Sequence, residues 1–208
     1  MTPTDTRERI LDAGLALASE VGLQGITIGS LARAVDLTKA GLYAHFDSKD
    51  DILLGILRTA VERFVEDGIQ PALRRTPGLG RLRALFDAWL EWSKAPPLPG
   101  GCVFISSAAE LDDRPGPLRD YLVEVQGEWA GLLGREVKAA RERGELSADV
   151  DPRQFVFEMY GSILAFHYHA RLFEDRNAET RARWAFQELL ARSGRGEPAG
   201  TPAGGSEA

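Results

Sequence analysis

A short segment between residues 38 and 46 carries polar and small side chains that are expected to face outward from a helix. Leu42 and Phe46 are four residues apart, so on a helix both can face a core. An outward lysine, tyrosine or histidine can donate hydrogen bonds to phosphates, and small residues let a helix approach base edges. The outward set comprises Thr38, Lys39, Ala40, Gly41, Tyr43, Ala44 and His45. A single tyrosine or histidine is as easily a solvated surface residue, so the chemistry depends on the surrounding elements.

Those elements are predicted from the spacing of apolar residues. The pattern indicates helices over 5–21, 28–35 and 39–46, with Thr27 and Thr38 placed to cap the second and third. Two short helices joined by a turn of about three residues, after one longer helix, have the outline of a helix-turn-helix unit. That outline is common among helical proteins and does not by itself define a function.

The rest of the chain also favours helices. Glycine and proline residues around 68–80, at 96–101 and at 114–117 predict breaks between them. The predicted helices cover 50–67, a stripe from 82 to 90, 102–111, 118–143, 152–173 and 178–192. Residues 194–208, rich in glycine and without apolar periodicity, predict a disordered tail. The expected fold class is therefore all-α.

Composition excludes several classes of protein. The chain has 208 residues, of which 44% are hydrophobic and 27% charged, the balance of a soluble globular protein. It has no apolar run of about 20 residues and no signal-peptide pattern, so we expect a cytoplasmic protein without membrane contact. One cysteine and three histidines leave no disulfide framework and little for a metal site. No catalytic or phosphate-binding motif is present, and neither enzymatic activity nor a cofactor is expected.

The segment from residue 27 to 53 reads TIGSLARAVDLTKAGLYAHF followed by DSKDDIL. It closely resembles the DNA-binding domain of TetR-type transcriptional regulators, and Leu42-Tyr43-x-His45-Phe46 and Ser48-Lys49 are its most diagnostic parts. The resemblance covers about the first 55 residues. It implies a three-helix DNA-binding domain over 1–50 and an all-helical ligand-binding and dimerisation domain over 51–193.

The resemblance also implies roles for individual residues. The second helix of the unit would enter the major groove of double-stranded operator DNA. Lys49, Tyr43 and His45 match positions that contact phosphates. Positions that approach bases correspond to Lys39, Ala40, Gly41 and Ala44, and helix-start positions facing the DNA backbone correspond to Thr27 and Thr38.

Three features depart from the family pattern. Asp36 stands where glycine is usual in the turn, and aspartate tolerates a left-handed backbone better than most residues. Gly29 lies inside a short helix, and Ala40-Gly41 reverses a common order of small residues. Residues 1–50 also carry five Lys/Arg against seven Asp/Glu. We therefore expect weak non-specific DNA binding. Operator affinity would depend on a symmetric pair of DNA-binding domains, one from each subunit, which we call the heads.

Aromatic residues beyond position 80 are distributed over several helices, as an apolar ligand pocket requires, although each could equally fill a core. The candidate ligand-binding residues are Phe86, Trp89, Phe104, Trp129, Tyr160 and His167. Few polar groups lie among them, so the expected effector is a small, mostly apolar molecule. Gly161 and Ser162 would permit close approach of a partner helix, and the resemblance implies a homodimer with an intersubunit four-helix bundle.

The sequence thus predicts a homodimeric, ligand-responsive repressor that an effector releases from a palindromic operator. An alternative is a helix-turn-helix regulator governed by a protein partner or by oxidation of Cys102. That cysteine follows Gly100-Gly101 at a predicted helix start, where the pKa of a thiol can be lowered.

Overall fold

A computed structural model describes residues 3–194, with side chains from residue 5 onward. Apart from Gly194, the predicted disordered tail lies outside the described residues. Within them the chain is helical and contains no strand, as predicted. The elements are α1 Pro3–Gly25, α2 Ile28–Ala34, α3 Lys39–Tyr43, α4 Lys49–Phe64, a π-helical segment Val65–Ile69, α5 Gln70–Leu73, α6 Leu79–Trp92, α7 Val103–Leu111, α8 Pro117–Glu142, α9 Pro152–Leu172 and α10 Ala178–Ser193. None of these helices is long and apolar enough to cross a membrane.

Helices α1 to α4 share one small core. Leu42 and Phe46 are buried together with Leu31 and Ile52, as the sequence predicts. Removing large apolar side chains from water is the main contribution to the stability of such a core. A Cβ at Gly14 would overlap the side chain of Ile56, so this glycine permits the close crossing of α1 and α4.

The predicted helix starts are confirmed. The hydroxyl oxygen of Thr38 accepts a hydrogen bond from the backbone N–H of Gly41 (3.0 Å), and Thr27 caps α2 in the same way. Ser48 accepts from the N–H of Asp51 and begins α4. Each cap satisfies a backbone donor that has no partner within its helix. Asp36 adopts φ 55°, the left-handed conformation expected for it in the turn.

Two predicted helix ends are wrong. Helix α3 ends at Tyr43 rather than at residue 46, because the N–H of His45 bonds back only three residues, to the carbonyl of Leu42. The predicted break near residue 68 is instead a continuous helical segment. There the N–H of Gln70 bonds to the carbonyl of Val65, five residues back. Pro71 follows directly within this continuous segment and, having no N–H, contributes no backbone hydrogen bond of its own.

The N-terminus of α6 is held by carboxylates from the α8 region. Glu136 is buried and accepts hydrogen bonds from the N–H of Gly78 (3.0 Å) and from the guanidinium of Arg81 (3.1 Å). The carboxylate of Glu145 accepts from the N–H of Leu79, which lowers the pKa of Glu145. These contacts supply partners for backbone donors at the helix start and fix α6 against α8.

The N-terminal helices join the remaining bundle along α1 and α7. The hydroxyl oxygen of Ser19 accepts a hydrogen bond from the N–H of Gly100 (3.0 Å), inside the protein. Nearby, the carboxylate of Glu110 accepts from the N–H of Gln24 (3.2 Å). A Cβ at Gly100 would overlap the carbonyl oxygen of Ser19, so backbone packs directly on backbone at this junction.

Substituting Gly100→Ala is therefore expected to lower the free energy of unfolding by about 1–3 kcal/mol, because the backbone at the junction must move to accept a methyl group. The matched control is Gly127→Ala in α8, where a Cβ meets nothing within 4 Å. That change should raise stability by up to about 1 kcal/mol through helix propensity. Urea unfolding measures both, and equal effects of the two substitutions would contradict the junction.

Candidate nucleic-acid interface and ligand cavity

The surface around α3 carries the side chains that the sequence assigned to DNA. Tyr43 is 47% exposed. The exposed members of the set are Thr27, Thr38, Lys39, Ala40, Tyr43 and Ala44, and the half-buried members are Gly41, His45 and Lys49. The side chain of Lys39 reaches back to Gly29 of α2. A Cβ atom built on Gly29 would lie 3.7 Å from the Cε atom of Lys39 and 3.9 Å from the hydroxyl oxygen of Thr27, so both side chains lie beside this glycine. Side chains from the starts of α2 and α3 therefore meet at one surface.

Acidic residues near this surface reduce its net positive charge. The first turns of α2 and α3 contain no acidic residue, whereas α4 begins with Asp50 and Asp51 directly after Lys49. Asp51 accepts a hydrogen bond from the N–H of Asp47, which holds its carboxylate at the helix start. Behind the surface, the guanidinium of Arg7 lies 4.9 Å from the centre of the Phe46 ring. Arg7 remains exposed, so the main restraint on the positive charge of this surface is the pair of acidic residues beside Lys49.

A second candidate site is a cavity of about 450 Å³. It lies among α4, the π-helical segment, α5, α6, α7 and α8. The lining residues are Val61, Phe64, Val65, Ile69, Leu73, Trp89, Phe104, Val125, Gln126, Glu128, Trp129, Leu132 and Arg135. A cavity of this size and mainly apolar lining is typical of a small-molecule site.

The structure brings four of the six predicted ligand residues together. Trp89, Phe104 and Trp129 line the cavity, and Tyr160 packs edge-on against Trp89 with 4.7 Å between ring centroids. Phe86 instead stacks on a ring of α10, and His167 lies in a separate cleft between the α6–α7 loop and α9.

Phe64 is the main aromatic residue of the cavity that sequence reasoning missed. Its ring lies 5.2 Å from that of Trp129 and 6.1 Å from that of Phe104, measured between centroids. The sequence did contain a signal for this residue. The apolar residues 61, 64 and 65 cover a wider face of the helix than a single buried stripe needs. The indole N–H of Trp129 is buried without a hydrogen-bond partner in the described part of the chain.

One polar pair stands beside the cavity. The hydroxyl of Tyr160 on α9 donates a hydrogen bond to the Oε1 atom of Gln126 on α8 (3.2 Å). Burial raises the pKa of Tyr160 well above its usual value, so the phenol stays protonated and remains a donor. Gln126 was not among the predicted residues, since a single glutamine within a long helix carries no sequence signal.

The predicted lowering of the Cys102 pKa is wrong. Cys102 is fully buried at the start of α7, and burial raises the pKa of its thiol. Because the thiolate is the reactive form, an enclosed thiol with a raised pKa is a poor redox sensor. Within residues 5–194 there is also no cluster of histidine, cysteine and acidic residues that could hold a metal ion.

Comparison with known proteins matches both parts of the chain. A family model described as "Bacterial regulatory proteins, tetR family" matches residues 10–56. A second, described as "Tetracyclin repressor-like, C-terminal domain", matches residues 78–186. The chain therefore belongs to the TetR family, whose members are DNA-binding transcriptional regulators rather than enzymes.

Individual relatives agree with this assignment. The HTH-type transcriptional regulator TcmR of Streptomyces glaucescens is 27% identical over 178 residues, covering 83% of this chain and 77% of TcmR. IcaR of Staphylococcus aureus strain Newman, a negative transcriptional regulator of the biofilm operon icaADBC, is 44% identical over 46 residues, which is 22% of this chain and 25% of IcaR. The crystal structure of a TetR transcriptional regulator from Chloroflexus aurantiacus superimposes with a TM-score of 0.79 at 28% identity, covering 91% of this chain and 94% of that one.

Proposed function

We propose that this chain is a homodimeric repressor, which a small apolar effector releases from a palindromic operator. The observation that carries the proposal is the continuity of α4 with the π-helical segment. Lys49, at the start of α4, adjoins the α3 surface, and Phe64, at its end, lines the aromatic cavity. One rigid element thus reaches from the DNA-binding head to the proposed effector site.

DNA recognition is assigned to α3 and its flanks. Tyr43, His45 and Lys49 would contact phosphates, since a phenol, an imidazole and an ammonium group all donate hydrogen bonds. Lys39, Ala40, Gly41 and Ala44 would approach base edges in the major groove. The hydroxyl oxygen of Thr38 caps α3, so Thr38 would meet the DNA backbone with its hydroxyl hydrogen. The hydroxyl and the backbone N–H of Thr27 both donate to the hydroxyl oxygen of Ser30, so Thr27 would exchange one of these bonds for a contact with the DNA backbone.

Tyr43→Phe is expected to weaken operator binding about threefold to tenfold for each bound subunit, through loss of one hydrogen bond per subunit. Lys49→Ala should also lower the dependence of log K on log salt by about one unit per bound subunit. Fluorescence anisotropy on DNA fragments selected from a random pool measures both effects. Arg176→Ala, an exposed charge beyond α9, is the control and should change neither. Unchanged binding by both head variants would contradict this placement of the DNA surface.

Dimerisation is assigned to the outer faces of α9 and α10. Phe157, Leu164 and Tyr168 are large apolar residues on one face of α9 and are 72%, 46% and 54% exposed. Trp184 on α10 is 67% exposed. Large exposed apolar residues grouped on adjacent helices are typical of a protein interface. Two such faces would bury one another as an intersubunit four-helix bundle, with two-fold symmetry matched to a palindromic operator.

Gly161→Leu tests this interface. A Cβ at Gly161 meets nothing within 4 Å in its own chain, so the monomer should fold normally. At an interface of closely packed helices, the larger side chain should weaken the dimer by about 1–3 kcal/mol. Sedimentation equilibrium compares the dimer dissociation constants of the variant and the wild type. A wild-type protein that stays monomeric at micromolar concentration, with or without DNA, would contradict the model of two DNA-binding heads.

Release is assigned to a population shift between two arrangements of the heads. An effector can move this equilibrium only by as much as its affinities for the two arrangements differ. The cavity wall includes residues of α4 and the π-helical segment, so its shape depends on the element that supports the head. The name of IcaR as a negative regulator supports repression, and the burial of Cys102 disfavours control by its oxidation.

Filling the cavity should block the response to an added effector, whatever its effect on operator affinity in the absence of that effector. Val125→Trp places a large ring in the cavity, because Val125 lines it. Val123→Trp, two residues earlier on α8 and 56% exposed, is the matched control. Neutral apolar compounds that release wild-type protein from DNA should lose at least about tenfold in potency on Val125→Trp and keep their potency on Val123→Trp. Equal potency on both variants would place the effector elsewhere.

A further inference from the structure

The walls of the cavity favour a flat aromatic occupant. Rings of α4, α6 and α8 meet edge-on, with 5.2 Å between the centroids of Phe64 and Trp129 and 5.6 Å between those of Trp89 and Trp129. Rings arranged at steep angles present both faces and edges, which suit offset or edge-on contacts with another aromatic system. A volume of about 450 Å³ has room for a molecule of three fused rings.

The rim of the cavity carries little net charge. Its charged side chains are Arg135 and Glu128, both exposed and of opposite sign. A phosphorylated or polyanionic ligand would need several guanidinium or ammonium groups, because each phosphate oxygen must be paired once it leaves water. One arginine accompanied by one glutamate provides no such cluster. The cavity is therefore better suited to a neutral molecule.

Gln126 offers the cavity a hydrogen-bond donor. Its Oε1 atom is occupied by the hydroxyl of Tyr160, which comes from α9, outside the cavity lining. With the oxygen held on that side, the Nε2 atom is the end that Gln126 can present to a ligand. This amide N–H₂ makes no hydrogen bond within the part of the chain that the structure describes. The hydrogen bond from Tyr160 to the Oε1 atom orients the amide, and because burial raises the pKa of Tyr160, the phenol keeps this donor over the physiological pH range.

We propose that the effector is a neutral, planar aromatic ketone or quinone, whose carbonyl oxygen accepts a hydrogen bond from the Nε2 atom of Gln126. Tyr160 is a positioning residue, because it holds the amide with its donor end toward the cavity. The inference rests on the proposed function, in which this cavity is the effector site. It adds the chemical class of the ligand and the group that selects it.

A matched pair of probes isolates the carbonyl. Fluorenone and fluorene share one tricyclic carbon skeleton, and only fluorenone carries an acceptor oxygen. Equilibrium dialysis of each probe against the full chain gives the two dissociation constants. We expect the wild-type protein to bind fluorenone about threefold to tenfold more tightly, the ratio that one net hydrogen bond provides.

Three variants test whether Gln126 and Tyr160 cause the preference for fluorenone over fluorene. Gln126→Leu keeps the side-chain volume but removes the donor, and should bind both probes with equal affinity. Tyr160→Phe should reduce the preference while leaving the affinity for fluorene within about twofold, which a general loss of packing would not do. Gln70→Leu is the control at an exposed position of α5 and should keep the wild-type ratio. If Gln126→Leu fails to fold, as judged by circular dichroism, Tyr160→Phe decides the question.

The possible outcomes separate this inference from the proposed function. Equal affinities in the wild type, a preference that persists in Gln126→Leu, or no binding of either probe would each overturn the assigned ligand class. Release of operator DNA is measured on the same samples by anisotropy. A preference lost in Gln126→Leu, with no release of DNA by fluorenone, would support the ligand class and count against the effector role.

Discussion

The buried face of α4 is the constraint on which the rest of the molecule depends. Ile52 and Ile56 near its start and Ala60 and Phe64 near its end belong to a single apolar cluster, which runs from the N-terminal helices into the larger bundle. Because this helix contributes along its whole length, neither end of the cluster can be repacked without moving it. A rise of 1.5 Å per residue puts about 22 Å between Lys49 and Phe64. Under the proposed function, this helix connects the DNA-binding surface with the effector cavity.

The head is unusual for a DNA-binding surface because its charge is nearly balanced. Asp50 and Asp51 stand beside Lys49, and residues 1–50 carry seven Asp and Glu against five Lys and Arg. Under the proposed function, Coulomb attraction to phosphates would therefore supply little affinity, and non-specific binding would be weak. Affinity would come from the fit of two heads held at a fixed spacing, so operator binding would be sensitive to small changes in the geometry of the dimer.

The π-helical segment connects this sensitivity to the cavity. An α-helix cannot take an extra residue without local widening, and such widened turns occur frequently at functional sites. Here the widened turn places Val65 and Ile69 in the cavity wall, directly after α4, which supports the head. The junction of Ser19 with Gly100 ties α1 to the same bundle at a second point. The head is thus held from two sides, and under the proposed function a change at either one would alter its position.

The sequence by itself determined the helical class, the helix-turn-helix unit and its caps. Those features depend on neighbours within four residues: Thr38 needs only the N–H of Gly41, and Leu42 and Phe46 share a face through helical periodicity alone. The aromatic cavity was only partly predictable. Trp89, Phe104 and Trp129 were identified by type, but Phe86 has the same type and lies against Phe186.

Tertiary structure decided the remaining features. The pairing of Tyr160 with Gln126 spans 34 residues and depends on how α8 and α9 lie together, which no local pattern encodes. The pKa of Cys102 was predicted with the wrong sign, because a helix start lowers it while the surrounding core raises it, and only the packed structure shows which effect is larger. The helix likewise continues through Gly68 and Pro71, since packing against α6 outweighs the local preference for a break.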